Sequence, residues 1–146
     1  MFIVKNEICD KTAAQICEIQ QKMLFENSDV NSVKTAIKNG VLFFVEFDDK
    51  QNVVCFSSVM PVGEEWEIYD VATVSEWQNR GLAKKIISEI LNFAAKNGAK
   101  SLFLEVRESN EKAINIYSKF GFEKYAVRKN YYANGGENAI CMKKHL

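Results

Sequence analysis

The sequence has few of the residues that build metal sites and disulfide frameworks. It contains one histidine, His145, and its four cysteines show neither a C-x-x-C spacing nor a Cys/His pairing. A zinc site is therefore not expected, and no metal is expected elsewhere. The cysteines are predicted to be reduced and mostly buried thiols, as is usual in a cytosolic protein. They are Cys9, Cys17, Cys55 and Cys141.

The chain also lacks an excess of charge of either sign and a long apolar run. Nineteen basic residues balance nineteen acidic ones, so no overall field favours nucleic acid or an anionic membrane as a partner. The segment MFIVKNEICDKTAAQ at the start resembles neither a signal peptide nor a transmembrane helix. The 146 residues, 47% of them hydrophobic, are enough for one core. We therefore expect a single cytoplasmic domain over residues 1–146.

The hydrophobic pattern predicts a mixed α/β domain. A short strand near residues 2–5 is followed by a helix capped by Asp10 and by a second helix over residues 30–38. Three strands joined by short turns occupy residues 41–74, which favours an antiparallel meander. The remaining elements are a long helix from Leu82, a strand over residues 100–106, a helix capped by Ser109 or Asn110, and strands near residues 122–128 and 138–143.

The segment QNRGLAKK before the long helix has the composition of an anion-binding turn. The first N–H groups of a helix have no intrahelical partner, and the helix dipole adds partial positive charge there. Gly81 and Ala83 leave the backbone accessible, while Arg80, Lys84 and Lys85 add cationic side chains. The segment predicts a pyrophosphate cradle, and a plain turn followed by a solvated helix face is the alternative. Neither a Walker loop nor G-x-G-x-x-G is present.

Two longer patterns resemble a known family. Gln78-x-x-Gly81-x-Ala83, after a V-A-x-V strand, resembles the acyl-CoA pyrophosphate loop, Q/R-x-x-G-x-G/A, of the GNAT superfamily of N-acetyltransferases. The segment LFLEVRESNEKAINIYSKFGFEKYAVRKNYYANGGENAICMKK resembles the L-E-V-R-x-S-N-x-x-A-x-x-L-Y-x-x-x-G-F…R-x-x-Y-Y…E-N-A-x-x-M pattern of the bacterial ribosomal-protein-alanine N-acetyltransferases. The match covers roughly residues 66–143. The first forty residues match weakly, and ENS at residues 26–28 replaces the family's P-W-S.

The resemblance implies a GNAT fold, in which a mixed, mostly antiparallel sheet carries helices on both faces and a splayed pair of parallel strands at the acetyl-CoA site. It implies an acyltransferase that transfers acetyl from acetyl-CoA, its co-substrate, to the N-terminal α-amine of a protein, by direct transfer in a ternary complex. The expected partner is a small-subunit ribosomal protein with an N-terminal alanine. Alternatives are another amine acceptor, namely a lysine, a polyamine or a small metabolite, or a non-catalytic acyl-CoA-binding module.

The resemblance also assigns the residues that contact acetyl-CoA. The strand Val71, Ala72 and Thr73 is expected to separate from its parallel neighbour and to pair with the pantetheine arm, although these residues equally suit an unbroken strand. The remaining expected contacts are Gln78, Asn79, Arg80, Gly81, Leu82, Ala83, Lys84 and Asn110.

Transfer from a thioester to an amine needs a base, a stabiliser for the oxyanion and an acid for the departing thiolate. Glu105 ends the predicted strand LFLEVR in an apolar neighbourhood, and it matches the catalytic glutamate of the family. Its structural alternative is an ordinary ion pair with Arg107 or a lysine. Glu67, on the neighbouring strand, is a second candidate for the base.

The candidate acid is Tyr117, which matches the general acid of the family in x-Y-x-x-x-G-F. Its ordinary phenol pKa of ~10 lies near the ~8.5 of a thiol, although a tyrosine on an apolar helix face is often a core residue. Tyr131 and Tyr132 are expected either to line the acceptor pocket or to anchor the last hairpin. Acidic residues between Glu64 and Asp70 either attract a basic acceptor tail or form a solvated surface.

Overall fold

The strands and helices follow one another along the chain in the order that the sequence predicts. The computed structural model describes residues 2–133 and 135–146. Its strands are β1 (Phe2–Val4), β2 (Leu42–Phe47), β3 (Val53–Val62), β4 (Glu65–Thr73), β5 (Ser101–Arg107), β6 (Glu123–Arg128) and β7 (Ala139–His145). Its helices are α1 (Asp10–Met23), α2 (Val30–Lys38), α3 (Leu82–Lys96) and α4 (Glu111–Lys119), and a short 3-10 turn occupies Ser75–Trp77.

The seven strands form one sheet in the order β1-β2-β3-β4-β5-β7-β6. The β2–β3–β4 meander is antiparallel, as expected from its short turns. The pair β4–β5 is parallel because α3 connects the two strands, and every other pairing is antiparallel. The expected fold class, a mostly antiparallel α/β sheet with one parallel pair, is confirmed.

Helices cover both faces of the sheet because side chains alternate along each strand. In β2, Phe44 packs with α3 and α4, through Ile86 and Tyr117 among others. Its neighbour Phe43 belongs to the opposite core, which contains Ile16 of α1. The two cores therefore lie on opposite faces of the sheet, with α1 and α2 on one face and α3 and α4 on the other.

The caps of two helices differ in how well the sequence predicts them. Asn110 caps α4, since its side chain accepts a hydrogen bond from the N–H of Ala113 at 3.2 Å. The prediction that Asp10 caps α1 is wrong. Cys9 occupies that position without a side-chain cap, and Asp10 is the first helical residue, where its charge still complements the helix dipole.

A β-bulge in β4, visible in its pairing with β3, lies where the parallel pairing of β4 with β5 ends. The β3–β4 register passes from Val59↔Ile68 to Ser58↔Asp70 and so skips Tyr69. An extra residue of this kind bends and twists its strand. The parallel β4–β5 pairing ends at the same level, with Ile68 opposite Leu104. The expected splay of the parallel strands is therefore present, and it opens the sheet at the C-terminal end of β4.

A substitution of Ile90, on the buried face of α3, tests how strongly the packing of α3 stabilises the protein. The side chain is 0% exposed. Replacing Ile90 by Ala removes buried methylene and methyl groups and leaves a cavity, so we expect Ile90→Ala to lower the free energy of unfolding by about 2–5 kcal/mol. Urea denaturation followed by circular dichroism measures this. Ser88→Ala, at an exposed position of the same helix, is the control, and an equal effect in the two variants would contradict the assignment of Ile90 to the core.

Candidate active site

A groove of about 530 Å³ begins where β4 leaves β5. It is bounded by the end of β4, the turn before α3, and the first turns of α4, with Met23 and Leu24 from the end of α1 on its other side. Every residue that the sequence analysis assigns to acetyl-CoA lines this groove, except Arg80. The fold thus brings together residues from β4, α3 and α4 that are far apart along the chain.

The N-terminus of α3 faces the groove because of the conformation of the turn before it. Gly81 is the N-cap and has a left-handed backbone, with φ at +81°, which only glycine adopts at little cost. Gln78 fixes the turn to the strand, since its Nε2 donates to the carbonyl oxygen of Thr73 at 3.1 Å. The first N–H groups of α3 are therefore available to an anion in the groove.

The cationic side chains of the turn take different directions. Lys84 lines the groove, and Arg80 stacks on Trp77 with 4.5 Å from its guanidinium carbon to the ring centroid. The expectation for Lys85 is wrong. Its Nζ lies 2.9 Å from the Oε1 of Glu46 on β2, away from the groove. Lys112 of α4, which the sequence analysis did not include, lines the groove instead and donates to the side chain of Asn79.

Glu105 lies outside this groove, in a cavity that apolar side chains line together with Arg128 and two further glutamates. The Nε of Arg128 on β6 lies 2.9 Å from its Oε1, so its partner is neither Arg107 nor a lysine. The hydroxyl of Tyr131 forms a hydrogen bond with Glu105, and this bond raises the pKa of Tyr131. Arg128 was missed, although it is the arginine of the quoted R-x-x-Y-Y pattern.

Glu67 shares a second cavity, of about 280 Å³, with Glu105 and Arg128. It lies on the parallel strand, opposite Phe103 in the register. Burial raises the pKa of Glu67, the negative charge of Glu105 raises it further, and the positive charge of Arg128 opposes both effects. Both candidate bases therefore stand in one cavity, and Arg128 lines it with them.

Tyr117 is almost fully enclosed where α4 packs on the sheet. It is 7% exposed, and its ring meets that of Phe122 edge to face at 5.7 Å between centroids. Burial raises the pKa of Tyr117 well above its ordinary value, and the nearby charge of Asp70 adds to this. The phenol therefore keeps its proton at neutral pH, but it is a weaker acid than the sequence analysis assumed.

A pair of carboxyl groups lies near Tyr117 and was not predicted. Glu26, in the loop between α1 and α2, is hydrogen-bonded to Asp70 of β4. Burial, followed by the hydrogen bond and charge of Asp70, raises the pKa of Glu26 to about 8. The Oγ of Ser58 donates to the Oδ2 of Asp70 at 3.0 Å. Glu26 belongs to the ENS segment that replaces the family's P-W-S. The sequence therefore shows that this segment departs from the family pattern, but it does not show that Glu26 contacts Asp70.

Aromatic rings surround Arg107 beside these carboxyl groups. Its guanidinium carbon lies 4.2 Å from the ring centroid of Tyr132 and 5.9 Å from that of Phe25. Phe25 is 64% exposed and has φ at +56°, which is a strained backbone for a bulky residue. The rings of Tyr131 and Tyr132 meet edge to face at 5.2 Å. Tyr132 is also bonded to the β6–β7 loop, since its N–H donates to the carbonyl oxygen of Glu137 at 3.1 Å, and a role of the two tyrosines in an acceptor pocket stays a prediction.

A family comparison now defines the class of protein. The model of the acetyltransferase (GNAT) family matches residues 13–122. The chain therefore belongs to the GNAT family, and it is an N-acetyltransferase. The strand separation and the groove at the N-terminus of α3 lie within the matched region.

Individual proteins of known name or structure resemble this chain. The ribosomal protein bS18-alanine N-acetyltransferase of Escherichia coli strain K12 is 32% identical over 115 residues, which are 76% of this chain and 78% of that protein. The crystal structure of the Escherichia coli ribosomal-protein-S18-alanine N-acetyltransferase superposes with a TM-score of 0.84 at 27% identity, covering 99% and 92% of the two chains. Arabidopsis thaliana Naa50, in complex with the bisubstrate analogue CoA-Ac-MVNAL, shares the fold, with a TM-score of 0.81 at 19% identity over 99% or more of each chain.

The described residues contain neither a membrane-spanning helix nor a metal-binding cluster. Within residues 2–133 and 135–146, no helix has both the length and the apolar character needed to cross a membrane. The same part of the chain contains no group of three or more histidine, cysteine, aspartate or glutamate side chains placed to hold a metal ion.

The raised pKa of Glu26 makes stability depend on pH. Between about pH 5 and pH 8 the folded protein keeps a proton on Glu26 that the unfolded chain releases. The folded state binds more protons in this range, so its stability falls as the pH rises. We expect Glu26→Gln, which cannot ionise, to show a smaller fall of Tm between pH 5 and pH 8 by differential scanning fluorimetry. Glu64→Gln is the exposed control, and equal slopes in Glu26→Gln and the unmodified protein would contradict the assignment.

Proposed function

We propose that this N-acetyltransferase uses acetyl-CoA to acetylate the N-terminal α-amine of a protein, and that a ribosomal protein with N-terminal alanine is the acceptor. The separation of β4 from β5 carries the proposal. It opens a groove with the N-terminus of α3 along its wall, and candidate carboxylates lie on the neighbouring strands. The ligand of the Naa50 complex, a coenzyme A–peptide conjugate, combines the two substrate types proposed here.

The chemistry of the groove matches that of acetyl-CoA. Its pyrophosphate is an anion that the first N–H groups of α3 can bind, with Lys84 and Lys112 on the same wall. Its amide-rich pantetheine arm can pair with the main chain of Val71, Ala72 and Thr73, in place of the missing β5 partner. This arrangement directs the thioester toward the opening between the two strands.

The reaction follows from this placement as a direct transfer. The neutral amine attacks the thioester carbonyl carbon, and a carboxylate, Glu105 with Glu67 as the alternative, takes the proton that the amine loses. The C–S bond then breaks, and the thiolate receives a proton from Tyr117. An α-amine has an ordinary pKa near ~8 against ~10.4 for lysine, so its deprotonation at neutral pH costs roughly 3 kcal/mol less. A carboxylate is therefore a sufficient base for an α-amine.

The acceptor is inferred from the relatives and from the surroundings of Glu105. Proteins with 27–32% identity to this chain are named for acetylation of the alanine of ribosomal protein S18. Glu67 and Glu105 place two carboxyl groups in one cavity, which favours a basic peptide with a cationic amine.

The first experiment compares one peptide with its blocked form. We expect acetyl-CoA turnover, measured as free thiol released, with a peptide that begins Ala-Arg, and no turnover with the same peptide after N-acetylation. Turnover with both would indicate an internal lysine as the acceptor. Turnover with neither, but with spermidine or another free amine, would move the function to small amines. Absence of turnover with every amine, with acetyl-CoA still bound in calorimetry, would leave a binding module.

The assigned roles of Glu105 and Tyr117 give a kinetic prediction. We expect Glu105→Gln and Tyr117→Phe each to lower kcat by about a hundredfold or more, because each removes one proton-transfer group while nearly preserving shape. The Kd of acetyl-CoA should stay within about twofold, since neither residue lines the groove. Steady-state kinetics and calorimetry measure both quantities. Glu64→Gln is the matched control, and Glu67→Gln reveals which carboxylate is the base.

Unchanged kcat in Glu105→Gln together with a large loss in Glu67→Gln would transfer the role of base to Glu67. Unchanged kcat in all three variants would overturn the assignment of roles altogether.

A further inference from the structure

The loop between β6 and β7 is tied to the turn between β5 and α4 by side chains that no catalytic role explains. The loop provides Glu137 and Asn138, the end of β5 provides Arg107, and the turn after β5 provides Glu108 and Ser109. We call the contacts between these five residues the Glu137 latch. They join the segment that carries Tyr131 and Tyr132 to the segment that leads into α4.

Glu137 uses both of its carboxylate oxygens in the latch. Its Oε1 accepts a hydrogen bond from the backbone N–H of Ser109 at 2.6 Å. Its Oε2 accepts one from Nη1 of Arg107 at 3.4 Å. The hydrogen bond from Ser109, followed by Arg107, lowers the pKa of Glu137. The carboxylate is therefore ionised at neutral pH, where a charged acceptor strengthens both hydrogen bonds.

Asn138 completes the connection next to Glu137. Its Nδ2 donates to Oε2 of Glu108 at 3.0 Å, and its backbone carbonyl accepts from the N–H of Glu108 at 3.0 Å. Its Oδ1 accepts from the N–H of Asn130 at 3.0 Å, at the start of the same loop. The latch thus joins the end of the loop to this turn, and Asn138 links the start of the loop to its end.

The latch also contacts the segment that carries Tyr131 and Tyr132. The N–H of Tyr132 donates to the carbonyl oxygen of Glu137 at 3.1 Å. The ring of Tyr132 stacks on Arg107, the same guanidinium that Glu137 binds. Tyr131 in turn is hydrogen-bonded to Glu105. Displacement of Glu137 would therefore move the tyrosines relative to the carboxylate on β5, while the groove lined by α3 would be left in place.

We propose that Glu137 is a positioning residue for the acceptor, which acts through Arg107 and Tyr132 and has no contact with the acetyl donor. The proposal rests on the proposed function, since it assumes that the acceptor binds beside the tyrosines. Its main consequence is that acceptor binding and donor binding respond differently to loss of the latch. Loss of the latch weakens the acceptor, whereas the donor site and the proton-transfer groups stay intact.

The kinetic test uses the full chain with the Ala-Arg peptide. For Glu137→Ala we expect the KM of the peptide to rise about tenfold or more, because two hydrogen bonds to a charged group are lost. The kcat at saturating peptide and the KM of acetyl-CoA should stay within about twofold. Glu137→Gln should fall between Glu137→Ala and the unmodified protein, since an amide oxygen can still accept from Ser109. Glu123→Gln, at an exposed position of β6, is the control.

A second measurement decides the latch independently of the acceptor. Hydrogen exchange followed by mass spectrometry or NMR should show faster exchange of the Ser109 and Tyr132 amides in Glu137→Ala, at an unchanged Tm. A fall in kcat without a rise in peptide KM, a rise in the KM of acetyl-CoA equal to that of the peptide, or unchanged exchange would each overturn the proposal. An unmodified protein that leaves the peptide unacetylated contradicts the proposed function, and the exchange result then still decides the latch.

Discussion

The site depends on the incomplete pairing of β4 with β5. A parallel pair inside a sheet normally satisfies the main-chain groups of both strands, and buried N–H and C=O groups without partners are costly. Here the extra residue Tyr69 in β4 turns the strand away after Ile68. β3 still holds one edge of β4, while β7 holds β5 as far as Arg107. The sheet therefore stays continuous on both sides of a gap between the C-terminal ends of β4 and β5.

The carboxyl groups near the gap have different surroundings. Glu105 has a cationic partner in Arg128, whereas Glu67 is desolvated and repelled by Glu105. Glu26 keeps a proton because burial and Asp70 disfavour its charge. Several carboxyl groups can share this small region because one is paired with a cation and another stays protonated.

The sequence predicted the features that depend on neighbouring residues. The meander, α2, and the cap of α4 by Asn110 follow from local periodicity and turn chemistry. Contacts between distant segments could not be predicted in this way. Nothing in the sequence near Lys85 shows that it meets Glu46, and nothing near Glu26 shows that it meets Asp70. The resemblance to the family named Glu105, but the partner Arg128 became evident only when the β6–β7 hairpin was in place.

In the proposed reaction, the burial of Tyr117 determines how its phenol would assist the leaving group. An ordinary phenol already exceeds a thiol by about 1.5 pKa units, which corresponds to about 2 kcal/mol against full proton transfer. Burial and the charge of Asp70 raise the pKa of Tyr117 further, so a phenolate beside a finished thiol is the less stable arrangement. The same burial keeps the O–H intact and excludes competing water. In the proposed reaction, a hydrogen bond from this O–H to the substrate sulfur would therefore be strongest while charge develops on sulfur, and catalysis requires that stabilisation to be greater in the transition state than in the bound thioester.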